Sequence, residues 1–374
     1  MTTPRILVMA NHIDGLGGAE RVSHGVAAGL AARGYDVALR GIRPTAEYRM
    51  PMTDTTYSTG FMSPVAEKPP GEKPWPAARR TAMRAEALDA LRATLEDYRE
   101  DLLICMQVFV AEHVADVGFN DLIRSGPRMI GMYHSSYEAA HTTKDFDRIG
   151  NVYRRIDKFL LLTPQDAEAF RRHNFNNTGW MPNPLSLVPA SVSGSRDKRV
   201  VGIARYDELK QLDHALTAWA SVSPDFPDWR FELYGEGPDR ERLQRVIDDL
   251  GIQGTARLMG VTDDVEGVLL RSKLSVLCSR YEGLPMTLAE SMACGVPAVT
   301  YDCSPGVRAI VTDGETGVVV PQNHVSGLAQ ALSGLMADDE QWGRMSRAAA
   351  ESAVRFSPDR VMDRWEDLIA RTMR

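Results

Sequence analysis

The chain has 374 residues, 44% of them hydrophobic and 25% charged, a composition that excludes wholesale disorder and leaves room for two domains. Its net charge of -7 argues against a broad nucleic-acid surface, which needs a basic excess. The charge is uneven: residues 1–190 carry 22 Lys+Arg and 22 Asp+Glu, so residues 191–374 hold the whole deficit. In chain order, the opening MTTPRILVMA runs straight into an apolar strand with no basic leader and long apolar core, so no signal peptide is expected. Short apolar runs at 5–10, 37–42, 102–107, 128–133 and 158–162 then alternate with helix-length segments at 18–33, 77–97, 110–124, 145–156 and 164–173. This is the rhythm of a parallel sheet wrapped by helices. One irregular insert interrupts it: residues 44–76 contain seven prolines and no period, which suits a flexible loop or an acceptor-side lid.

Met181-Pro182-Asn183-Pro184 cannot continue a helix or a central strand. A domain linker is therefore placed at 184–198, after an N-terminal Rossmann-like domain of residues 1–183. A second alternation fills 199–357, with strands at 199–204, 229–234, 256–260, 274–279, 296–301 and 318–321. Its helices fall at 210–222, 238–250, 262–271, 285–294, 304–312 and 325–337. The tail 357–374 is an amphipathic helix with Val361, Trp365, Leu368 and Ile369 on its apolar face. Two open α/β domains in tandem predict a cleft, with ligands at the carboxyl ends of the strands.

Several motifs are missing. The loop Gly15-Leu16-Gly17-Gly18-Ala19-Glu20 fails the GxGxxG test because Glu20 takes the third glycine's place. No P-loop, HExxH or GxSxG stretch occurs, and the eight histidines show no metal-ligand spacing, so no metal and no bound cofactor are expected. The four cysteines (Cys105, Cys278, Cys294, Cys303) lack CxxC spacing and suit buried, reduced thiols of a cytoplasmic protein. The longest aliphatic runs are far below the ~20 residues of a membrane span, leaving peripheral contact as the one membrane role expected.

Three stretches carry chemistry. Gly17 and Gly18 let the backbone approach a ligand at a helix start, an arrangement that suits phosphate and equally a tight turn. Arg205 leaves the first strand of the second domain, and Lys210 follows five residues on, at the next helix start. A cation there costs ~0.3–1 kcal/mol, which makes better sense with an anion beside it. Ser279-Arg280-Tyr281-Glu282-Gly283-Leu284-Pro285 ends a strand and opens a helix, with Glu282 and Glu290 eight residues apart. Gly283 allows a special turn, Pro285 suits a helix's first turn, and the free N–H groups around Gly283 and Leu284 can hold a diphosphate.

Together these residues resemble the retaining glycosyltransferases of family 4, which have the GT-B fold. Glu282 and Glu290 match that family's E-x7-E motif. Ala293-Cys294-Gly295-Val296-Pro297 and Asp313-Gly314-Glu315-Thr316-Gly317 extend the likeness, Gly17-Gly18-Ala19-Glu20-Arg21-Val22 matches its first loop, and Asn183 sits at its interdomain linker. The resemblance implies a C-terminal domain that binds the nucleotide sugar and an N-terminal domain that takes the acceptor, with the helix at 358–374 returning to the latter. Arg205 and Lys210 would bind the donor diphosphate, Glu290 the ribose, Glu282 the sugar. Gly17, Gly18, Gly260, Gly283, Leu284 and Pro285 would line the donor site, and His134, in Tyr133-His134-Ser135, would stand beside the donor sugar; on sequence alone His134 also suits a satisfied loop histidine. The family usually has Lys-Gly where this chain has Lys210-Gln211, a loss expected to matter little at a helix start. The implied reaction moves a hexose, of glucose or N-acetylglucosamine type, from a nucleoside diphosphate (UDP leading) to an acceptor hydroxyl with retention and without a metal. Tyr301-Asp302-Cys303-Ser304-Pro305-Gly306 hints at a cell-envelope acceptor: polysaccharide, teichoic acid or glycolipid. The rival readings are another GT-B sugar-nucleotide enzyme, such as an epimerase or a natural-product glycosyltransferase, and a non-catalytic sugar-nucleotide-binding relative. Arg79, Arg80, Arg84, Arg154, Arg155, Arg171 and Arg172 offer basic clusters for a lipid or polymer phosphate, but acids on the same helices suit a solvated mixed-charge face.

Overall fold

In a computed structural model, residues 3–15, 17–45, 56–63, 65, 73, 75–118, 122, 124–192 and 194–374 are described. The chain divides into two compact units, Met1–Ser186 with Pro358–Arg374, and Leu187–Ser357.

The first unit is built on a seven-stranded parallel sheet: β1 (Ile6–Ala10), β2 (Val37–Gly41), β3 (Ser58–Phe61), β4 (Leu102–Cys105), β5 (Arg128–Met132), β6 (Lys158–Leu161) and β7 (Thr178–Trp180), in the order β3-β2-β1-β4-β5-β6-β7. Strand β1 is ILVMA with every residue buried, as expected for a central strand covered on both faces. The covering helices are α1 (Gly18–Ala32), α2 (Ala77–Asp97), α3 (Val108–Asp116), α4 (Tyr137–Thr142), α5 (Asp145–Tyr153) and α6 (Pro164–Arg171). Helix α3 stops well short of residue 124, and Gly118, at φ 120°, lies two residues beyond its end. Part of the proline-rich insert is ordered as β3, paired in register with β2 from Ala38↔Ser58 to Gly41↔Phe61. The lid or loop role expected of 44–76 otherwise falls largely outside the described residues.

The second unit has a six-stranded parallel sheet: β8 (Asp197–Ile203), β9 (Arg230–Tyr234), β10 (Ala256–Gly260), β11 (Ser272–Leu277), β12 (Ala298–Tyr301) and β13 (Gly317–Val320), ordered β10-β9-β8-β11-β12-β13. Its helices are α7 (Leu212–Val222), α8 (Arg240–Asp249), α9 (Val265–Arg271), α10 (Met286–Ala293), α11 (Pro305–Ile310), α12 (Val325–Ala337) and α13 (Asp339–Ala353). The run from Leu187 belongs to this unit rather than standing free: Arg196, half-buried, donates to the carbonyls of Ser272 (2.9 Å) and Cys294 (2.6 Å). In each sheet the strand order reverses between the first strand and the one paired on its other side, β1/β4 and β8/β11, and open α/β sheets bind ligands at such switch points.

The last helix, α14 (Pro358–Thr372), packs with the first unit. Its expected apolar face is the one buried, with Val361 and Trp365 fully covered. Met362 lies over Gly29 of α1, where a Cβ would meet its sulfur at 2.5 Å. Arg33 of α1 pairs with Asp363 at 2.7 Å and with Glu366.

Candidate functional site

The carboxyl edge of the second sheet places most of the predicted donor-binding residues. Strand β8 runs into Ala204-Arg205-Tyr206-Asp207, and Tyr206 anchors that loop: its ring is fully buried and its hydroxyl donates to the Leu233 carbonyl at 2.5 Å. Two glycines that the sequence reading passed over shape the same corner. Gly235 and Gly237 follow β9 with φ of 139° and 158°. A Cβ on Gly235 would fall 1.9 Å from the Ala204 oxygen, and one on Gly237 2.2 Å from that of Tyr206. A pair of glycines two apart directly after a strand was the available signal. Gly260, at the end of β10 with φ 81°, accepts from the Gly235 N–H at 2.9 Å.

Asp207 then caps a single 3-10 turn, Glu208–Lys210, its carboxylate accepting from the N–H groups of Leu209 (3.1 Å) and Lys210 (3.3 Å). Lys210 thus ends a turn instead of starting a helix, and a carboxylate of the protein stands beside it. Its ammonium meets Glu282 at 2.7 Å, and the same carboxylate oxygen accepts from the Ser279 hydroxyl at 2.6 Å. Burial is the largest influence on Lys210 and pulls its pKa down; the Glu282 charge and hydrogen bond outweigh it, and the net shift is upward. The pair joins the loops that leave β8 and β11, the strands flanking the switch point. Arg205 is not part of it: its side chain is 71% exposed and reaches Asp207 at 3.7 Å.

Glu290 is buried inside α10, and Gly283, Leu284 and Pro285 are buried ahead of it. Pro285 is the N-cap of α10 rather than a residue of its first turn. Gly283 is not among the glycines with positive φ, so the special turn expected there is not what it provides. Its carbonyl instead lies against α11: a Cβ on Gly306 would come within 1.8 Å of it. The expectation for Gln211 also needs correction. It sits at φ 44°, ψ 43°, the left-handed region, where a side chain costs roughly 1–2 kcal/mol that glycine would not. The lost glycine therefore does matter to the backbone.

The first unit holds the remaining candidates. Gly17 is the N-cap of α1 in extended conformation, and Gly18 has open space where a Cβ would stand. Neither uses a glycine-only backbone. Gly17 instead makes room for Glu20, whose carboxylate oxygen lies 2.2 Å from the position a Cβ would take, so the helix start already carries an anion. His134, two residues beyond β5, has both ring nitrogens buried without a hydrogen-bond partner. Burial pushes its pKa down to about 4 against a weaker opposing pull from the Met106 backbone, so it is neutral near pH 7. The Met106 backbone is thus the polar group that acts on its ring, and no charged side chain among the described residues does. Nearby at the β1 edge, the Asn11 N–H donates to the Gln107 side chain at 2.6 Å.

Elsewhere, all four cysteines are buried and unpaired, with burial raising Cys105 and Cys303 to about 12. Of the basic clusters, Arg84 pairs with Asp116 at 2.7 Å, Arg171 with Glu168 at 2.5 Å, and Arg79 stacks on Trp75. Among the described residues no group of His, Cys, Asp and Glu side chains is arranged to hold a metal ion, and no helix is long and apolar enough to cross a membrane.

Comparison with known proteins supplies context for this edge. Residues 188–352 match the family model described as glycosyl transferases group 1. An exopolysaccharide phosphotransferase of Streptomyces coelicolor is 39% identical over 221 residues, 57% of this chain and 23% of that protein. A poly(glycerol-phosphate) alpha-glucosyltransferase of Bacillus subtilis is 28% identical over 216 residues, 56% of this chain and 32% of that protein. The chain thus spans less than a third of the length of these two relatives. Among solved structures, Anabaena HepE in complex with UDP and glucose superposes with a TM-score of 0.79 at 15% identity, over 98% of this chain and 99% of that one. That likeness shows the fold: two parallel-sheet α/β domains of the GT-B type.

Proposed function

We propose that this chain is a glycosyltransferase that uses a nucleoside diphosphate sugar and acts in the synthesis of cell-envelope polysaccharide or teichoic acid. The single observation that carries the reading is the Lys210–Glu282 pair at the carboxyl edge of the second sheet, at its switch point and within the segment that matches glycosyl transferases group 1. The finer reading is a hexose, of glucose or N-acetylglucosamine type, transferred from UDP with retention and without a metal. The UDP and glucose in the HepE structure support the donor part of this reading, and the poly(glycerol-phosphate) and glucosyl group in the name of the Bacillus relative support a glucose-type sugar and an envelope-polymer acceptor.

The mechanism follows from the charges. As the anomeric bond loosens, negative charge builds on the departing phosphate, and Lys210 with the exposed Arg205 would neutralise it, the part a divalent cation plays in other transferases. Glu282, now held on Lys210, would turn to the sugar hydroxyls when the diphosphate takes over the ammonium. Glu290 would hold the ribose, and the backbone N–H groups of Gly283 and Leu284 would add donors. In the first unit, neutral His134 can donate from one nitrogen and accept at the other, which suits a sugar hydroxyl better than a phosphate. Attack from the leaving-group face would let the departing phosphate oxygen take the acceptor's proton.

A thermal-unfolding screen against UDP-, GDP- and ADP-linked sugars tests the proposal. The expected outcome is stabilisation by UDP-glucose or UDP-N-acetylglucosamine, followed by slow hydrolysis of the same donor without acceptor. Failure of every nucleotide sugar to raise the melting temperature rejects it, and stabilisation without hydrolysis or transfer to any acceptor favours the binding-only relative.

A further inference from the structure

We propose that Gln211 and Asn323 form a side-chain bridge whose task is to position Lys210, a role that rests on the nucleotide-sugar reading above. Gln211 separates the turn that ends at Lys210 from α7, and it is left-handed at φ 44° although the residue is buried, with 7% relative exposure. Its Nε2 donates to the Asn323 Oδ1 at 3.0 Å. Asn323 lies in the loop between β13 and α12 and is also left-handed, at φ 63°. The two ends of one hydrogen bond thus both stand in the left-handed region, which glycine adopts freely, asparagine tolerates and glutamine resists.

Strained conformations persist where the surroundings over-determine them. Here the surroundings are a seam that joins three loops of one sheet edge. Arg280 N–H, after β11, donates to the Leu209 carbonyl at 2.7 Å, and Gln322 Nε2, after β13, donates to the Arg280 carbonyl at 2.7 Å. The Gln211–Asn323 bond closes this seam back to the loop after β8. Lys210 and Glu282 sit on two of the three loops, so their 2.7 Å contact depends on the register that the seam fixes. The bridge has a cost of its own: the Gln211 Oε1 is buried with no hydrogen-bond partner. The amide is thus oriented for Asn323 at the expense of a buried acceptor. Gln211 is a positioning residue in this account, acting through the adjacent lysine.

The test exchanges the lengths of the two amides. Gln211→Asn and Asn323→Gln each keep an amide but change the span, while the double variant restores the total length; asparagine also tolerates the left-handed turn. The readouts are UDP-glucose hydrolysis and competitive acetylation of Lys210 by acetic anhydride, read by mass spectrometry. Each single variant is expected to lower kcat roughly tenfold with KM little changed, since a misplaced group costs turnover more than binding. Each should also raise Lys210 acetylation several-fold, and the double variant should return both towards wild type. Thermal unfolding checks that the variants fold. Single variants that match wild type in both readouts, or a double variant no better than the worse single, overturn the bridge. Absence of turnover of every UDP-, GDP- and ADP-linked sugar by the wild type removes the nucleotide-sugar reading instead, and the acetylation pattern still decides whether the bridge holds Lys210.

Discussion

His134 and Lys210 are the two titratable side chains whose surroundings carry the most information, and they behave oppositely. Lys210 is half-buried but paired, so it keeps its charge. His134 is buried without a charged partner, and its pKa falls to about 4. The sign of the consequence is fixed by linkage: between pH 6.5 and 4 the unfolded chain binds a proton here that the folded chain refuses. Stability therefore falls as pH drops through that window and is level in this respect below it. Replacing His134 by Gln is expected to flatten the stability-against-pH curve there by an amount of order 1–3 kcal/mol, as read by urea unfolding at pH 7, 5.5 and 4.5; a variant as pH-sensitive as the wild type would disprove the burial argument. Lys210→Ala is expected to leave the fold intact and cut sugar transfer ~10²-fold or more, the scale of losing one preorganised charge, measured as initial rate with saturating donor. At this scale the sequence was partly legible. Lys210 and Glu282 could be picked out from strand ends and glycine placement, and His134 only from the family resemblance. The left-handed turn at Gln211 could not, because glutamine carries no signal for that conformation, and the carboxylate of Glu20 folding over Gly17 depends on a rotamer.

Elements show where glycine is needed and where it is not. The loop after β11 and the start of α11 are packed so closely that Gly306 admits no side chain, with the Gly283 oxygen 1.8 Å from its would-be Cβ and the Leu284 Cα at 3.1 Å. Both obstacles are backbone, so they cannot swing aside. Gly306→Ala should lower stability by about 1–3 kcal/mol and weaken nucleotide binding, as followed by calorimetry, whereas Gly18→Ala, with open space around it, should leave the melting temperature unchanged. Equal effects of the two substitutions would contradict this packing. Element types were legible wherever an apolar run was long and buried, as in ILVMA at β1. They were missed at β3 and β7, four and three residues long, because short edge strands carry little hydrophobic pattern. Helix α13 was missed although a signal existed: Asp338 caps it by accepting from the Gln341 N–H at 2.8 Å, and Met345, Ala349 and Ala353 recur at helical spacing on its buried face.

For the molecule as a whole, chain order and unit membership differ, since α14 comes last yet belongs to the first unit. Trp365 is fully buried there, and removing a side chain of that size from a core costs about 3–5 kcal/mol. Trp365→Ala should therefore lower the unfolding transition of the first unit while leaving that of the second in place, as seen by differential scanning calorimetry; a uniform shift of all unfolding would argue against the assignment. The two-domain reading was legible from length and from the repeated alternation of strands and helices, and the returning helix from its apolar face together with the resemblance. The charge asymmetry now has a sharper meaning. The acidic second unit needs no basic surface, because its expected anion would meet a few cations at one sheet edge. That claim is tested most directly by isothermal titration of UDP into the wild type and into Lys210→Ala. The account predicts measurable binding by the wild type and a loss of roughly tenfold or more in affinity for the variant, the scale of a hydrogen bond to a charged group. Equal affinities, or no binding by the wild type, would contradict it.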